Sequence, residues 1–184
     1  MTAQLFLFLL ACALASAASS SEPDPKIWSG SLVEMKALLQ SRSAHLDNRN
    51  PGSGQTPLMA ACLRGDAEVV EYLLSVGADV SIPEKDGYTC PHGAGFQGRA
   101  DVARVLIKRG IDVTEFHTDG FAPLHRACWG KKEGHAETVR VFLESGVDRD
   151  LKSNAPKAIP RSCKDMTTNP NTRAVLLGDK PAEL

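Results

Sequence analysis

At 184 residues, with 21 Lys and Arg set against 22 Asp and Glu, the chain has a formal net charge of -1. That balance supplies neither a basic field to gather phosphates nor an acidic one, which sets aside non-specific nucleic-acid binding as the main role. The part beyond the amino-terminal segment suits a single domain.

In that segment, Leu5 to Ala15 is apolar, broken only by the neutral Cys12, and no charge appears before Glu22. A spanning helix needs roughly 20 apolar residues, so the run is too short to cross a bilayer. Followed by Ala15-Ser16-Ala17-Ala18, it fits a secretory signal peptide cut after Ala17 or Ala15. Thr2, Ala3 and Gln4 depart from that pattern, because they bring no Lys or Arg. The expectation is a signal peptide over 1–17 and a product that is secreted or held in the secretory-pathway lumen. A plastid or other organelle reached through a bipartite presequence is the alternative. Residues 18–26, rich in Ser and Pro, predict a linker.

Order is expected from Ile27. Leu32, Val33, Met35, Leu38 and Leu39 recur at helical spacing over Ser31 to Leu39, half a unit suited to capping an array. The first full unit opens at Thr56-Pro57-Leu58, where Thr56 can cap a helix and Pro57 takes its first position. Gly65 closes that helix, and a second runs from Ala67 to Val76 before Gly77. The same marks return 33 residues on: Thr56 to Thr89, Gly65 to Gly98, Gly77 to Gly110. A fixed period of this size marks a stacked array. The second unit reads Thr89-Cys90-Pro91-His92-Gly93-Ala94-Gly95, with its proline displaced by one and two glycines inside the helix. Those glycines predict either close packing of a bulky neighbour or a soft helix. The third unit restores Pro123-Leu124-His125. Gly98 to Gly134 spans 36 residues, which places three extra residues around Gly130-Lys131-Lys132 and an outer helix over Ala136 to Glu144. Asp150 to Leu177 reads as a degraded terminal unit, and 179–184 as a tail.

The motif T-P-L-M-A-A-x-x-G followed by E-V-V-x-x-L-L-x-x-G-A-D-V resembles the ankyrin repeat. The resemblance covers 27–178, with three full units and a partial one at each end. It implies an all-α solenoid of antiparallel helix pairs with short β-hairpin loops. It also implies binding of a protein or peptide on the hairpin tips and the inner helices, which make the concave face. The chain is expected to be a monomeric, non-catalytic module without cofactor, metal or membrane span. The runner-up is a scaffold with no dedicated ligand.

Cys62 and Cys128 share one repeat position two units apart, too far for a disulfide, which needs Cα atoms within about 7 Å. With Cys90 and Cys163 at other positions, all four are expected to be reduced or to serve as small apolar groups. A zinc site from Cys90, His92, His125 and Cys128 is disfavoured because the pairs sit in different stacked units, whereas zinc ligands lie about 2.0–2.3 Å from the metal. No glycine-rich phosphate loop, H-E-x-x-H or G-x-S-x-G occurs. The resemblance gives His92 and His125 the role of holding turns together by hydrogen bonds.

The candidate partner-binding residues are aromatic. Tyr88 and Phe121 are 33 apart, as are Phe96 and Trp129. The resemblance places the first pair at hairpin bases and the second at inner-helix ends, both on the concave side. Leu63 continues the second row, Gln97 follows Phe96, and Phe116 lies near a hairpin tip. Arg64, Lys85, Arg126, Lys131 and Lys132 form a basic fringe. Either these aromatics make an exposed binding strip, or they pack between units.

Overall fold

The computed structural model describes residues 23–41 and 44–178. The expected signal peptide, all but four residues of the expected linker, and the tail lie outside the described residues. Ten helices are described, arranged as inner and outer partners of successive units: α1 Lys26–Ser29, α2 Leu32–Gln40, α3 Pro57–Arg64, α4 Ala67–Ser75 and α5 Cys90–Gln97, then α6 Ala100–Lys108, α7 Pro123–Trp129, α8 Glu133–Glu144, α9 Cys163–Met166 and α10 Pro170–Leu177. The odd-numbered helices stack in one layer and the even-numbered helices in the other.

Local chemistry sets the ends of these helices. The Thr56 hydroxyl accepts from the Met59 amide at 3.2 Å, and Gly65 closes α3 at a φ of 90°, which only glycine adopts cheaply. Between the layers, the outer helices of the three full units bury the same face: Val69, Val70 and Leu73 on α4, Val102, Ala103 and Leu106 on α6, and Thr138, Val139 and Phe142 on α8. Full burial of such aliphatic or aromatic side chains stabilises by about 1.5–3 kcal/mol each, so the apolar seam drives stacking. The connecting loops are tight turns closed by two backbone bonds each, as in the Glu84 amide to the Tyr88 carbonyl at 2.9 Å with the Gly87 amide to the Glu84 carbonyl at 3.0 Å, and the His117 amide to the Phe121 carbonyl at 3.1 Å with the Gly120 amide to the His117 carbonyl at 2.8 Å. No strand occurs among the described residues.

Three expectations need correction. The amino-terminal unit is more than half a unit, because α1 supplies a short inner helix. Ile27 is buried there, and the Trp28 indole donates to the Asn48 carbonyl at 2.9 Å. The three added residues do not simply widen the turn in unit three, since α8 begins at Glu133 instead of Ala136 and takes up part of the insertion. Gly130 is extended at φ -75°, ψ 146°, unlike the left-handed Gly65 and Gly98. A Cβ there would fall 1.7 Å from the His135 ring. The insertion therefore folds around His135, whose Nε2 lies 3.0 Å from the Phe96 carbonyl.

The third correction concerns the cysteines, which are disulfide-bonded: Cys62 to Cys90 with Cα atoms 5.6 Å apart, and Cys128 to Cys163 at 5.4 Å. Each pair joins different repeat positions of adjacent units, so the distance between Cys62 and Cys128 places no limit on it. Both bridges join the residue six past one inner-helix N-cap to the residue one past the next, Thr56 and Thr89 in the first bridge, Ala122 and Ser162 in the second. The displaced proline of the second unit follows from this, because Cys90 occupies the place that Pro57 and Pro123 take elsewhere.

Candidate interaction surface

The two central aromatic rows meet at Arg126. Its side chain is buried, and its guanidinium lies 4.8 Å from the Tyr88 ring centroid, 4.9 Å from that of Trp129 and 5.4 Å from that of Phe121. Each such cation–π contact contributes on the order of 0.5–2 kcal/mol. Asp119 on the preceding turn forms an ion pair with Arg126, accepts from the Tyr88 hydroxyl at 3.3 Å and sits 2.9 Å from His117 Nδ1. Burial alone would raise the Asp119 carboxyl, but hydrogen bonds from Arg126 and His117 and the Arg126 charge hold it at about 2. His117 stacks on Tyr88 with centroids 4.1 Å apart, so Tyr88 lies between an imidazole and a guanidinium.

His92 and His125 brace the same region. The Thr89 hydroxyl meets His92 Nδ1 at 3.0 Å. The Ala122 amide donates to His125 Nδ1 at 3.1 Å, leaving His125 Nε2 to donate to the Leu151 carbonyl at 3.0 Å. Burial, helped by the nearby Arg126, pushes His92 down to about 4 and lowers His125 as well. Both rings are thus neutral at pH 7; His125 connects the Ala122 turn to the Leu151 turn, whereas among the described residues His92 bonds only the Thr89 hydroxyl of its own unit and its buried Nε2 makes no hydrogen bond.

Beside this cluster a groove of about 370 Å³ opens between α3 and α5. Met59 and Leu63 form one wall, while His92, Gly93, Phe96 and Gln97 form the other. Its loop end carries Gln55, Glu84, Asp86 and Tyr88, and Arg126 closes its flank. Gly93 gives the groove its depth, since a Cβ there would lie 3.1 Å from both Leu63 Cδ2 and Met59 Cε. Gly95 has a different reason: its Cβ would come within 2.3 Å of the Pro123 carbonyl oxygen on α7. Both glycines therefore allow close packing.

The predicted residues divide accordingly. Phe96 is 58% exposed and Trp129 39%, at the ends of α5 and α7. Tyr88 and Phe121 are half-buried around Arg126, and Phe121 packs on Trp129 with centroids 4.8 Å apart. Phe116 is half-buried, its ring centroid 6.1 Å from that of His125. Leu63 and Gln97 line the groove. Arg64 pairs with Asp66 of its own unit at 2.7 Å and turns toward the amino-terminal unit, where it bonds the Trp28 carbonyl. Lys85, Lys131 and Lys132 are exposed. Sequence reasoning passed over Gln55, Met59, Glu84, Asp86, His117 and Asp119. The 33-residue register would have led from Asp86 to Asp119, which precede Tyr88 and Phe121 by two residues alike.

A family model described as ankyrin repeats in three copies matches residues 27–117 and 77–153, together more than half of the chain. The chain is an ankyrin repeat protein. Ankyrin repeats are protein-interaction modules, and this solenoid presents the groove and the two exposed aromatics on its inner-helix layer. Over 52 residues the chain is 44% identical to the mouse Ankyrin repeat and SAM domain-containing protein 6, and 42% identical to the rat protein of that name. Each match spans 28% of this chain and 6% of the relative. Among the described residues, no helix is long and apolar enough to cross a membrane, and no group of three or more His, Cys, Asp and Glu is placed to hold a metal. Cys90 and Cys128 are engaged in disulfides and have no thiolate to offer zinc.

Proposed function

We propose that this ankyrin repeat protein is a monomeric, non-catalytic module that binds a protein or peptide through the inner-helix face of its first to third units. The observation that carries this reading is the exposure of Phe96 and Trp129 beside the open groove. Aromatic residues next to well-packed anchors are common binding hot spots, where truncation can cost 2 kcal/mol or more. Tyr88, Phe121 and Arg126 belong to the platform that holds Trp129. Affinity capture with the oxidised chain tests this: Phe96→Ala should lose a reproducible partner at unchanged thermal stability, and Trp129→Ala should lose it while remaining folded, destabilised only by on the order of 0.5–2 kcal/mol from its contact with Arg126. Loss of folding without a separable binding defect would favour the scaffold reading, which the packed Arg126 cluster otherwise supports.

The proposed setting is the secretory pathway or the cell exterior. The apolar segment before residue 18 and the two disulfides support it together, because disulfides persist where the medium is oxidising. Expression with the native amino terminus, followed by mass analysis of the secreted chain, tests the address. A product beginning at Ser16 or Ala18 with four cysteines oxidised is expected, whereas a retained Met1 with free thiols would overturn it.

A further inference from the structure

Resting on the reading of the groove as a binding site, we infer that its partner is an extended peptide segment carrying a Leu or Phe close to a Lys or Arg. The groove is apolar along Met59, Leu63 and the exposed Phe96, which suits one large apolar side chain. Its loop end presents Glu84 and Asp86, neither of which is in an ion pair among the described residues. One Glu84 oxygen, Oε1, accepts the Asp86 amide at 2.9 Å and the Tyr88 amide at 3.4 Å, which fixes that carboxylate at the rim. The basic group in the lining, Arg126, is paired with Asp119 through Nη2 and stacked among rings, which answers its charge although its buried Nε makes no hydrogen bond among the described residues. Lys85 lies between the two acids in sequence but is exposed and outside the lining. The site is therefore negative at one end and greasy along its length. A peptide cation would sit between Glu84 and Asp86, with the adjacent apolar side chain against Phe96 and Leu63. An acidic peptide would face uncompensated repulsion at the same end.

Fluorescence anisotropy with three sets of fluorescein-labelled dodecapeptides in Gly-Ser frames tests this on the full oxidised chain. One set pairs Leu or Phe with Lys or Arg at one to four residues' separation, the second pairs them with Asp or Glu, and the third carries Lys or Arg alone. The first set should bind at least about tenfold more tightly than the others, with affinity falling as salt rises. Asp86→Lys combined with Glu84→Gln, which keeps an amide oxygen for the backbone bonds, should reduce first-set affinity by about tenfold or more. Phe96→Ala should do the same, and Val33→Ala, 77% exposed on α2, should change nothing. Equal or better binding by the acidic set, lost on Phe96→Ala, would overturn the charge assignment but keep the groove as a site. Binding by the first set that survives Phe96→Ala would move the site elsewhere and overturn the groove assignment. No binding by any set at millimolar concentration would overturn the peptide inference, while partner capture dependent on Trp129 would leave the interaction-module reading standing.

Discussion

The interface between the first and second units and the interface between the second and third solve one packing problem in two ways. In the first, the residue six past the N-cap of α3 and the residue one past that of α5 are Cys62 and Cys90, joined covalently. In the second, the same two places hold Gly95 and Pro123, with backbone in such close contact that a Cβ on Gly95 would strike the Pro123 carbonyl at 2.3 Å. The third unit and the carboxy-terminal cap return to the covalent solution with Cys128 and Cys163. The stapled joints flank a central joint held by packing, cation–π contacts and the Asp119–Arg126 pair. Stability in a repeat array is close to a sum over neighbouring interfaces, so each solution can be broken separately.

The largest effect is expected at the carboxy-terminal staple. Replacing Cys128 and Cys163 together by Ser should cost about 4 kcal/mol, from the loop-closure entropy restored to the unfolded chain. Without the staple, α9, of four residues, is left to its own packing, while α10 keeps its packing on α8 and Asn169 its bonds to the Gly130 and Lys132 carbonyls. Hydrogen exchange should show α9 losing protection while α5 to α8 retain it. Uniform loss throughout would mean that the array unfolds as one unit. At the central joint, Gly95→Ala should cost roughly 3 kcal/mol, because the obstruction is backbone and cannot swing aside, as read by the urea midpoint. A stability within about 1 kcal/mol of the parent would show that the second and third units can slide apart without penalty.

Acid should come next. His92 titrates at about 4 in the fold, against an ordinary value near 6.5, so the unfolded chain binds more protons between those limits. Stability is therefore full above pH 6.5 and falls as pH drops toward 4, by roughly 2 kcal/mol at pH 4.5 from this ring, with His125 adding in the same direction. Asp119 acts in a lower window, losing its contribution as pH falls from about 4 toward 2. Equilibrium unfolding across pH 4 to 7 should show the slope flatten in His92→Asn. The smallest effect is Gly93→Ala. Its new methyl meets only the flexible ends of Leu63 and Met59, and the helix gains about 1 kcal/mol in propensity. The net change should stay within about 1 kcal/mol, in contrast to Gly95→Ala two residues away.

The fold was largely legible because capping threonines, prolines and closing glycines act locally and recur at a fixed interval. The joints were less legible. Cys62, Cys90, Cys128 and Cys163 each occupied a readable repeat position, but pairing depends on which positions of adjacent inner helices face each other, and comparing like with like hides that. Gly95 was visible as an anomaly, whereas the carbonyl opposite it is backbone and leaves no trace in residue type. The extra residues at Gly130 could be counted, but their entry into α8 depends on His135 filling the turn. For the surface, the two aromatic pairs were visible in register, but their division into half-buried Tyr88 and Phe121 and exposed Phe96 and Trp129 was not. Arg126 gathers Tyr88, Phe121 and Trp129 and leaves Phe96 outside, while Trp129, at the end of α7, stays 39% exposed.

The Cys62–Cys90 bond also ties together the two walls of the groove, Met59 and Leu63 on one side and Phe96 and Gln97 on the other. A mould whose halves are covalently fixed has little ordering left to do when a ligand enters. Coupling between two events is reciprocal. If a ligand fits the tied groove better than the untied one, it must make that bond harder to reduce, so resistance to reductant becomes a readout of occupancy.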